Sequence, residues 1–508
     1  MSSYLRIISL SLATVSTLAL IMIWTISSLD WCMMPTLNEY RELAQADAVQ
    51  QTLASKSIYP TDAQGPFYVY GPLFPLLGAS VAWMTGWSPL IACRVLSLYL
   101  TALTAALGAW VTYKSVRKAT HASTAVVMGL VAFAWMLRTW SYGNYGAATP
   151  SALGCILLLA TLVSLPLRLS WSRLILSALL SVACLFTKPY FFAIFGVGAV
   201  ILAVRDMRLC AIYVGMVVTL LTITAIAVVK FCYPAFFVYN LLHHLHMGLG
   251  LHPGYLLNQF IDICTETWPL AIGFIFAIWH TGRNLLYNRY FLASLTLFAV
   301  WVVIGQHPGQ YLTYAFNLWY IPLVIFICQM VVQSRWHNNI TYLLIILLGL
   351  GCWSPGSDDY VFTPSHAAQQ QLEAESVRFH SITAGEPVLN FSPVASVLAS
   401  SITTVNNGMQ CYTPSLAASP SDPGLIDILL PSMDEINATA SSYGDSIDDL
   451  ILSGHYPWII ADEYSPLPSS ATSYGYCPVA TFHINIYQTY PPVTLYHRTN
   501  SKYTTTTK

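Results

Sequence analysis

Between Leu5 and Trp353 the sequence is a succession of roughly eleven apolar stretches, most of them near the 17–25 residues that carry a helix across a bilayer. No feature constrains the fold more, because backbone buried in lipid must satisfy its own hydrogen bonds, and helices do so within the segment. The stretches fall near Leu5–Leu29, Ser88–Tyr113, Ala122–Met136, Ala148–Leu165, Leu174–Pro189, Phe191–Val204, Leu209–Val229, Thr267–Trp279, Phe291–Gly305, Thr313–Val332 and Ile340–Trp353. Charged residues make up 8% of the chain, far below the quarter or so of a soluble domain. The expected fold class is therefore mostly α: a polytopic membrane helix bundle.

Charge orients the bundle. Tyr70–Trp87 is apolar enough to be a further span, but counting it as one places Lys114, Arg117 and Lys118 outside. Laid in the interface, as an amphipathic or re-entrant helix, it leaves Arg6, Lys114, Arg117, Lys118, Arg168, Arg173, Arg205, Arg208, Arg283, Arg289 and Arg335 all cytoplasmic. The N-terminus is then inside. Residues 1–353 form the membrane domain, with a first outer loop at 30–87 whose Leu37–Ser55 stretch reads as a helix. Residues 354–508 form an extracytoplasmic C-terminal domain rich in Ser, Thr, Pro and Asp. Pro387–Phe391 and Trp458–Ala461 read as strands in it and Ser446–Ser453 as a helix, so a small α/β domain is expected, ending in a disordered Thr-rich tip.

With that orientation, Arg94, Arg138, Lys188 and Lys230 break the charge rule, since all four lie near the outer ends of spans. An ionisable side chain at membrane depth marks a functional site by default. Four cations near one leaflet suit an anionic, membrane-borne ligand, and Arg and Lys are the usual partners of phosphate oxygens. Taken singly, each also has a plainer reading as a snorkelling or belt residue.

Glu39 is the candidate catalytic group. It stands just beyond the first apolar stretch, where a carboxylate at the outer surface would deprotonate an acceptor hydroxyl. Thr36-x-x-Glu39 also fits a capping box, and the two roles are compatible. Glu42 and Asp47 further along the helix are weaker rivals, expected on its solvated face. Asn38, Tyr70, His307 and Tyr311 are candidate substrate contacts.

No ligand spacing supports a metal. His243, His244, His246 and His252 cluster in the loop Phe231–Glu266 without a convincing third ligand. The sequence identifies no cofactor, and a divalent metal stays open without a donor set to support it. Most of the 11 cysteines sit in apolar runs as small buried hydrophobes; Cys411 and Cys477 lie in the polar tail and would pair only if that side is oxidising. The net charge of −1 argues against a nucleic-acid partner.

The order of features resembles the GT-C superfamily of integral-membrane glycosyltransferases, in the bacterial branch similar to protein O-mannosyltransferases and lipid A aminoarabinose transferases. The resemblance rests on Asn38-Glu39 after the first span, Tyr59-Pro60 and Tyr70-Gly71-Pro72-Leu73 leading into an interfacial helix, Cys93-Arg94-Val95-Leu96-Ser97 opening the second span, Thr187-Lys188 closing a later one, and a polar tail carrying Gly385-Glu386-Pro387-Val388-Leu389 and Leu452 to Ile460. It implies transfer of a sugar from a polyprenyl-phosphate donor to a glycan, lipid or protein acceptor on the outer face of a bacterial inner membrane, with membrane lipid as a further partner. Glu39 occupies the family's catalytic carboxylate position. The chain departs from many relatives where Thr149-Pro150-Ser151 replaces an Arg-x-Asp, and where His307, Gly309 and Thr313-Tyr314 stand in place of a Lys and an Asn-Tyr around a glycine. A flippase of lipid-linked sugars is a competing reading, though no inverted repeat supports it. An inactive scaffold of the same fold is another.

Overall fold

The computed structural model describes residues 2–33, 41–59, 68, 70–140, 147–228, 253–304, 311–333, 338–353, 366–391, 395, 398, 449, 451–454, 456–462, 467, 469–484 and 492–499. Asn38, Glu39, Asp62, Lys230, the four loop histidines, His307, Cys411 and the Thr-rich tip lie outside them. The chain divides into two compact units: one holds α1 and the helices from Arg94 to α15, the other holds α2, α3 and everything from α16 onward.

The first unit, over its described residues, forms helices and the loops between them, with no strand. It comprises α1 (Ser2–Cys32), α4 (Pro89–Val116), of which the part from Arg94 belongs here, α5 (Ala122–Met136), α6 (Ser151–Ser164), α7 (Trp171–Leu185), a 3-10 turn (Pro189–Phe192), α8 (Ala193–Ala203), α9 (Met207–Ala227), α10 (Pro253–Glu266), α11 (Trp268–Thr281), α12 (Arg289–Ile304), α13 (Tyr311–Asn317), α14 (Tyr320–Gln333) and α15 (Asn338–Gly351). Each apolar stretch expected from the sequence is helical over most of its described length, with turns at 186–188 and 318–319. Among the described residues, α1, α4 and α9 are long and apolar enough to cross a membrane, and the other apolar helices are shorter. These helices mark an integral membrane protein. One difference stands out: Pro253–Glu266, expected to be loop, is helical, and Leu256–Glu266 meets Trp268–Trp279 at a 95° bend.

Helix contacts here depend on small residues, because lipid supplies little drive to bury apolar side chains and close backbone approach must supply packing. α1 and α15 show this. A methyl added at Gly349 would lie 2.7 Å from Ala13 Cα, so only glycine lets the two backbones meet. Beside that contact the Ser16 hydroxyl donates to the Gly349 carbonyl at 2.9 Å, and Trp353 Nε1 donates to the Ser16 carbonyl at 3.2 Å.

The second unit contains α2 (Arg41–Leu53), α3 (Leu73–Thr85), α16 (His366–Thr383), a short helix α17 (Ser469–Ser473) and four strands: β1 (Val388–Asn390), β2 (Trp458–Ala461), β3 (Tyr476–Phe482) and β4 (Val493–Arg498). The sheet order is β1-β2-β4-β3. β1 and β2 run parallel, with Leu389 opposite Ile459; β4 is antiparallel to both its neighbours, and the β3–β4 ladder is irregular between Pro478 and Ala480. Strand alternation sends Val388, Trp458, Ile460, Val493 and Leu495 into one core with Phe379 of α16, and Leu389, Ile459 and Ala461 into another with Ile451, Tyr456 and Tyr476. The two expected strands are present; of the helix expected at Ser446–Ser453, residues 449 and 451–453 are described and helical, and α16, β3 and β4 are additions.

α2 and α3 pack closely. A methyl at Gly78 would lie 2.7 Å from Val49 Cγ2. The inner face of α3 carries Phe74, Pro75, Gly78, Ala79 and Ala82, while Leu76, Leu77, Trp83 and Met84 are exposed opposite. An apolar helix with a second apolar face left uncovered suits a membrane interface.

Candidate functional site

Three of the four sequence-predicted cations lie in described residues, and all three are buried: Arg94 and Arg138 at 0% exposure and Lys188 at 6%. Lys188 lies just beyond α7, which ends at Leu185, and directly before Pro189, which opens the 3-10 turn. Its Nζ donates to the Ser151 hydroxyl at 2.8 Å. Ser151 opens α6 behind Pro150, and its hydroxyl is 3.2 Å from the Tyr190 hydroxyl. Asn317 Nδ2 donates to the same Tyr190 hydroxyl at 3.4 Å, and Cys155 Sγ donates to Asn317 Oδ1 at 3.3 Å. Tyr314 meets the Tyr190 ring edge-on, with centroids 4.7 Å apart. Polar groups from α6, the segment after α7, and α13 therefore converge around one ammonium.

Arg94 connects to this group through its own helix. Ser97 lies one turn on from Arg94, on the same face of α4. Its hydroxyl donates to the Thr149 carbonyl at 3.2 Å and accepts from the Thr149 amide at 3.1 Å, two residues before Ser151. The segment Thr149-Pro150-Ser151 thus ties the arginine's helix to the lysine's partner.

Arg138 is held differently. Its Nη1 donates to the Glu266 carbonyl at 2.6 Å, at the C-terminal end of α10 where the chain turns through 95°. A cation at a helix C-terminus meets unsatisfied carbonyls and the negative end of the helix dipole. The guanidinium also lies 4.7 Å from the centroid of the Trp135 ring, which is fixed by Trp135 Nε1 donating to the Leu348 carbonyl at 3.0 Å. Arg138 thus has a structural task at the bend.

In the second unit, the Tyr70 carbonyl accepts a hydrogen bond from the Tyr59 hydroxyl, and Tyr68 donates to Gln45 Oε1 at 2.7 Å. Burial, reinforced by the neighbouring Tyr59, Tyr70 and Cys93, pushes the Tyr68 hydroxyl well above its ordinary value. Glu42 corrects an expectation. It is 0% exposed, not on a solvated face, because positions 42, 45 and 49 share the inward side of α2. Asp47 is half-buried. Tyr311 opens α13.

Sequence reasoning overlooked Ser151, Tyr190 and Asn317. Only Asn317 carried a signal, as an amide within an apolar stretch. Among the described residues no cluster of His, Cys, Asp and Glu could hold a metal ion, and Cys477 is an exposed free thiol on β3.

No protein-family model matches the sequence, and no curated protein matches it either. Solved structures do. The fold is similar to that of ArnT from Cupriavidus metallidurans, crystallised bound to undecaprenyl phosphate, with a TM-score of 0.51 and 11% identity over 96% of this chain and 98% of that one. It is similar also to the oligosaccharyltransferase of Archaeoglobus fulgidus in its apo form, with a TM-score of 0.50 and 10% identity over 94% of this chain and 74% of that one. At such identities the likeness establishes the fold. The chain is folded like these two proteins, which agrees with the fold that the order of its sequence features implied.

Proposed function

We propose that this protein is a membrane glycosyltransferase that moves a sugar from a polyprenyl-phosphate donor to a cell-envelope acceptor on the outer face of the membrane. The observation that carries the reading is the burial of Arg94 and Lys188, on segments that the Ser97–Thr149 and Lys188–Ser151 hydrogen bonds hold together, in a fold shared with a protein crystallised on undecaprenyl phosphate. Ionisable side chains buried in an apolar bundle mark a functional site by default, and Arg and Lys are the usual partners of phosphate oxygens.

In this reading Glu39 takes the proton of the acceptor hydroxyl. The acceptor oxygen attacks the anomeric carbon, and the bond from that carbon to the phosphate oxygen breaks. The electron pair leaves on the polyprenyl phosphate, whose growing charge is stabilised by Arg94 and Lys188, with Arg138 and Lys230 as supporting cations. Asn38, Tyr70, His307 and Tyr311 would contact the substrates. Residues 1–353 form the membrane domain with a cytoplasmic N-terminus, the exposed apolar face of α3 rests in the outer interface, and residues 354–508 are extracytoplasmic.

Mass spectrometry of the lipid that copurifies with the full chain tests this. A polyprenyl phosphate, free or carrying a sugar, is the expected finding. A purified protein that neither retains such a lipid nor transfers sugar from one added to it overturns the reading.

A further inference from the structure

A cavity of about 530 Å³ opens in the helical unit, far from the buried pair of cations. It lies where the C-terminal end of α4 meets the start of α7, the start of α12 and the end of α14. Lys114 and Arg94 sit about 30 Å apart along α4, so the cavity and the donor site occupy opposite ends of one helix. The same order holds on α7, which carries Arg173 at its start and is followed by Lys188 at its end.

Five cationic side chains line the cavity: Lys114, Lys118, Arg173, Arg205 and Arg289. Among the described residues no carboxylate joins them and none forms an ion pair with any of the five. The arginines are held by backbone carbonyls instead. Arg173 donates to the carbonyls of Val163 at 2.8 Å and Ser164 at 3.1 Å, and Arg205 donates to that of Tyr287 at 2.9 Å. Arg289 lies 4.9 Å from the centroid of the Tyr290 ring, and Lys114 lies 4.6 Å from that of Trp110. Carbonyls and ring faces orient these groups without cancelling their charge. The strain shows at Arg205, where partial burial and, secondarily, the Arg289 charge pull the guanidinium below its ordinary value.

Topology explains why basic residues sit at this end of the bundle. It does not require that they converge on one concave volume. The rim supplies a second clue: Trp110, Leu167 and Tyr287 are 49%, 51% and 65% exposed, giving an aromatic and apolar border beside the cationic floor. An amphiphile fits such a border, with its head on the cations and its chains leaving past the rim.

We propose that this cavity binds the phosphate-bearing headgroup of a membrane lipid, at a site separate from the donor site and at the opposite end of the bundle. Arg and Lys match phosphate oxygens in charge and geometry. The volume falls within the range of small-ligand sites. The site requires no transfer chemistry, so it stands or falls apart from the catalytic reading.

The full chain, reconstituted in nanodiscs of phosphatidylcholine with or without phosphatidic acid, provides the test, with retained lipid read by native mass spectrometry. Lys114 and Lys118 are exposed, so the combined Lys114→Gln and Lys118→Gln variant should fold as the parent does. The parent should retain phosphatidic acid in preference to phosphatidylcholine, and the double variant should retain about tenfold less, given the worth of a basic residue near an anionic headgroup. Equal retention by parent and variant, or no preference for phosphatidic acid in the parent, overturns the proposal. Inorganic phosphate and pyrophosphate, added to the lipid-free protein in detergent, form the second arm. If they raise the melting temperature of the parent and not of the variant while phosphatidic acid is ignored, the cavity serves a soluble phosphate compound and the lipid assignment fails.

Discussion

Lys188 Nζ and Ser151 Oγ are 2.8 Å apart, and both residues are buried where α6 begins and α7 has just ended. The ammonium also lies 5.8 Å from the centroid of the Tyr190 ring. In the function proposed above, Ser151 positions this ammonium and Lys188 supplies the charge that meets the donor phosphate.

Removing the charge should therefore weaken donor binding more than removing the hydroxyl. Lys188→Gln and Arg94→Gln should each lower affinity for a polyprenyl-phosphate sugar about 10- to 100-fold, the range of a hydrogen bond to a charged group. Ser151→Ala, which keeps the ammonium, should have a smaller effect. Titration of donor into the purified variants gives the answer, and affinities equal to the parent's would show that the two cations serve structure alone.

The Glu39→Gln substitution separates catalysis from capping. Glutamine still completes a capping box but cannot accept the acceptor's proton. Transfer should fall about 100-fold or more, with the melting temperature unchanged. Near-normal transfer would move the search to Glu42, whose burial makes it the stronger of the remaining carboxylates, and then to Asp47 and Asp62.

Orientation can be read by labelling. In a background without reactive native cysteines, Arg117→Cys should react with a membrane-impermeant thiol reagent only after the cells are opened, and His455→Cys should react in intact cells. Labelling of position 117 from outside would invert the charge-based topology and, with it, the side assigned to both proposed sites.

Gly78 tests the packing of the outer loop. Gly78→Val adds atoms where Val49 Cγ2 already stands 2.7 Å from the place of a first methyl. Overpacking of this kind destabilises by about 1–3 kcal/mol. The variant should melt at a lower temperature than the parent, and an unchanged melting point would mean that α2 and α3 separate easily.

Long apolar runs made the helices legible, since nothing else in water or lipid satisfies such stretches. α10 was hidden because Asn258, Gln259, Asp262 and Glu266 interrupt its apolar residues and give it the look of a loop. β3 was hidden by Pro478, which belongs to strands only at edges and irregularities, and here β3 is an edge strand with its ladder disturbed at that point. The cations of the site stood out because charge is rare and conspicuous in an apolar segment. Ser151 and Tyr190 did not, because a neutral hydroxyl acquires meaning only from the neighbour that folding brings to it.

The sheet order has a consequence for biosynthesis. β4 is the last of the four strands to be made, yet it lies between β2 and β3 and supplies a ladder to each. Until Arg498 has left the ribosome, β3 has no neighbour among the described strands and β2 has only β1. The domain therefore cannot mature gradually as it emerges. It must wait, with its strand edges open, for its last strand to arrive, and in that interval it is most exposed to proteases and to pairing with other chains.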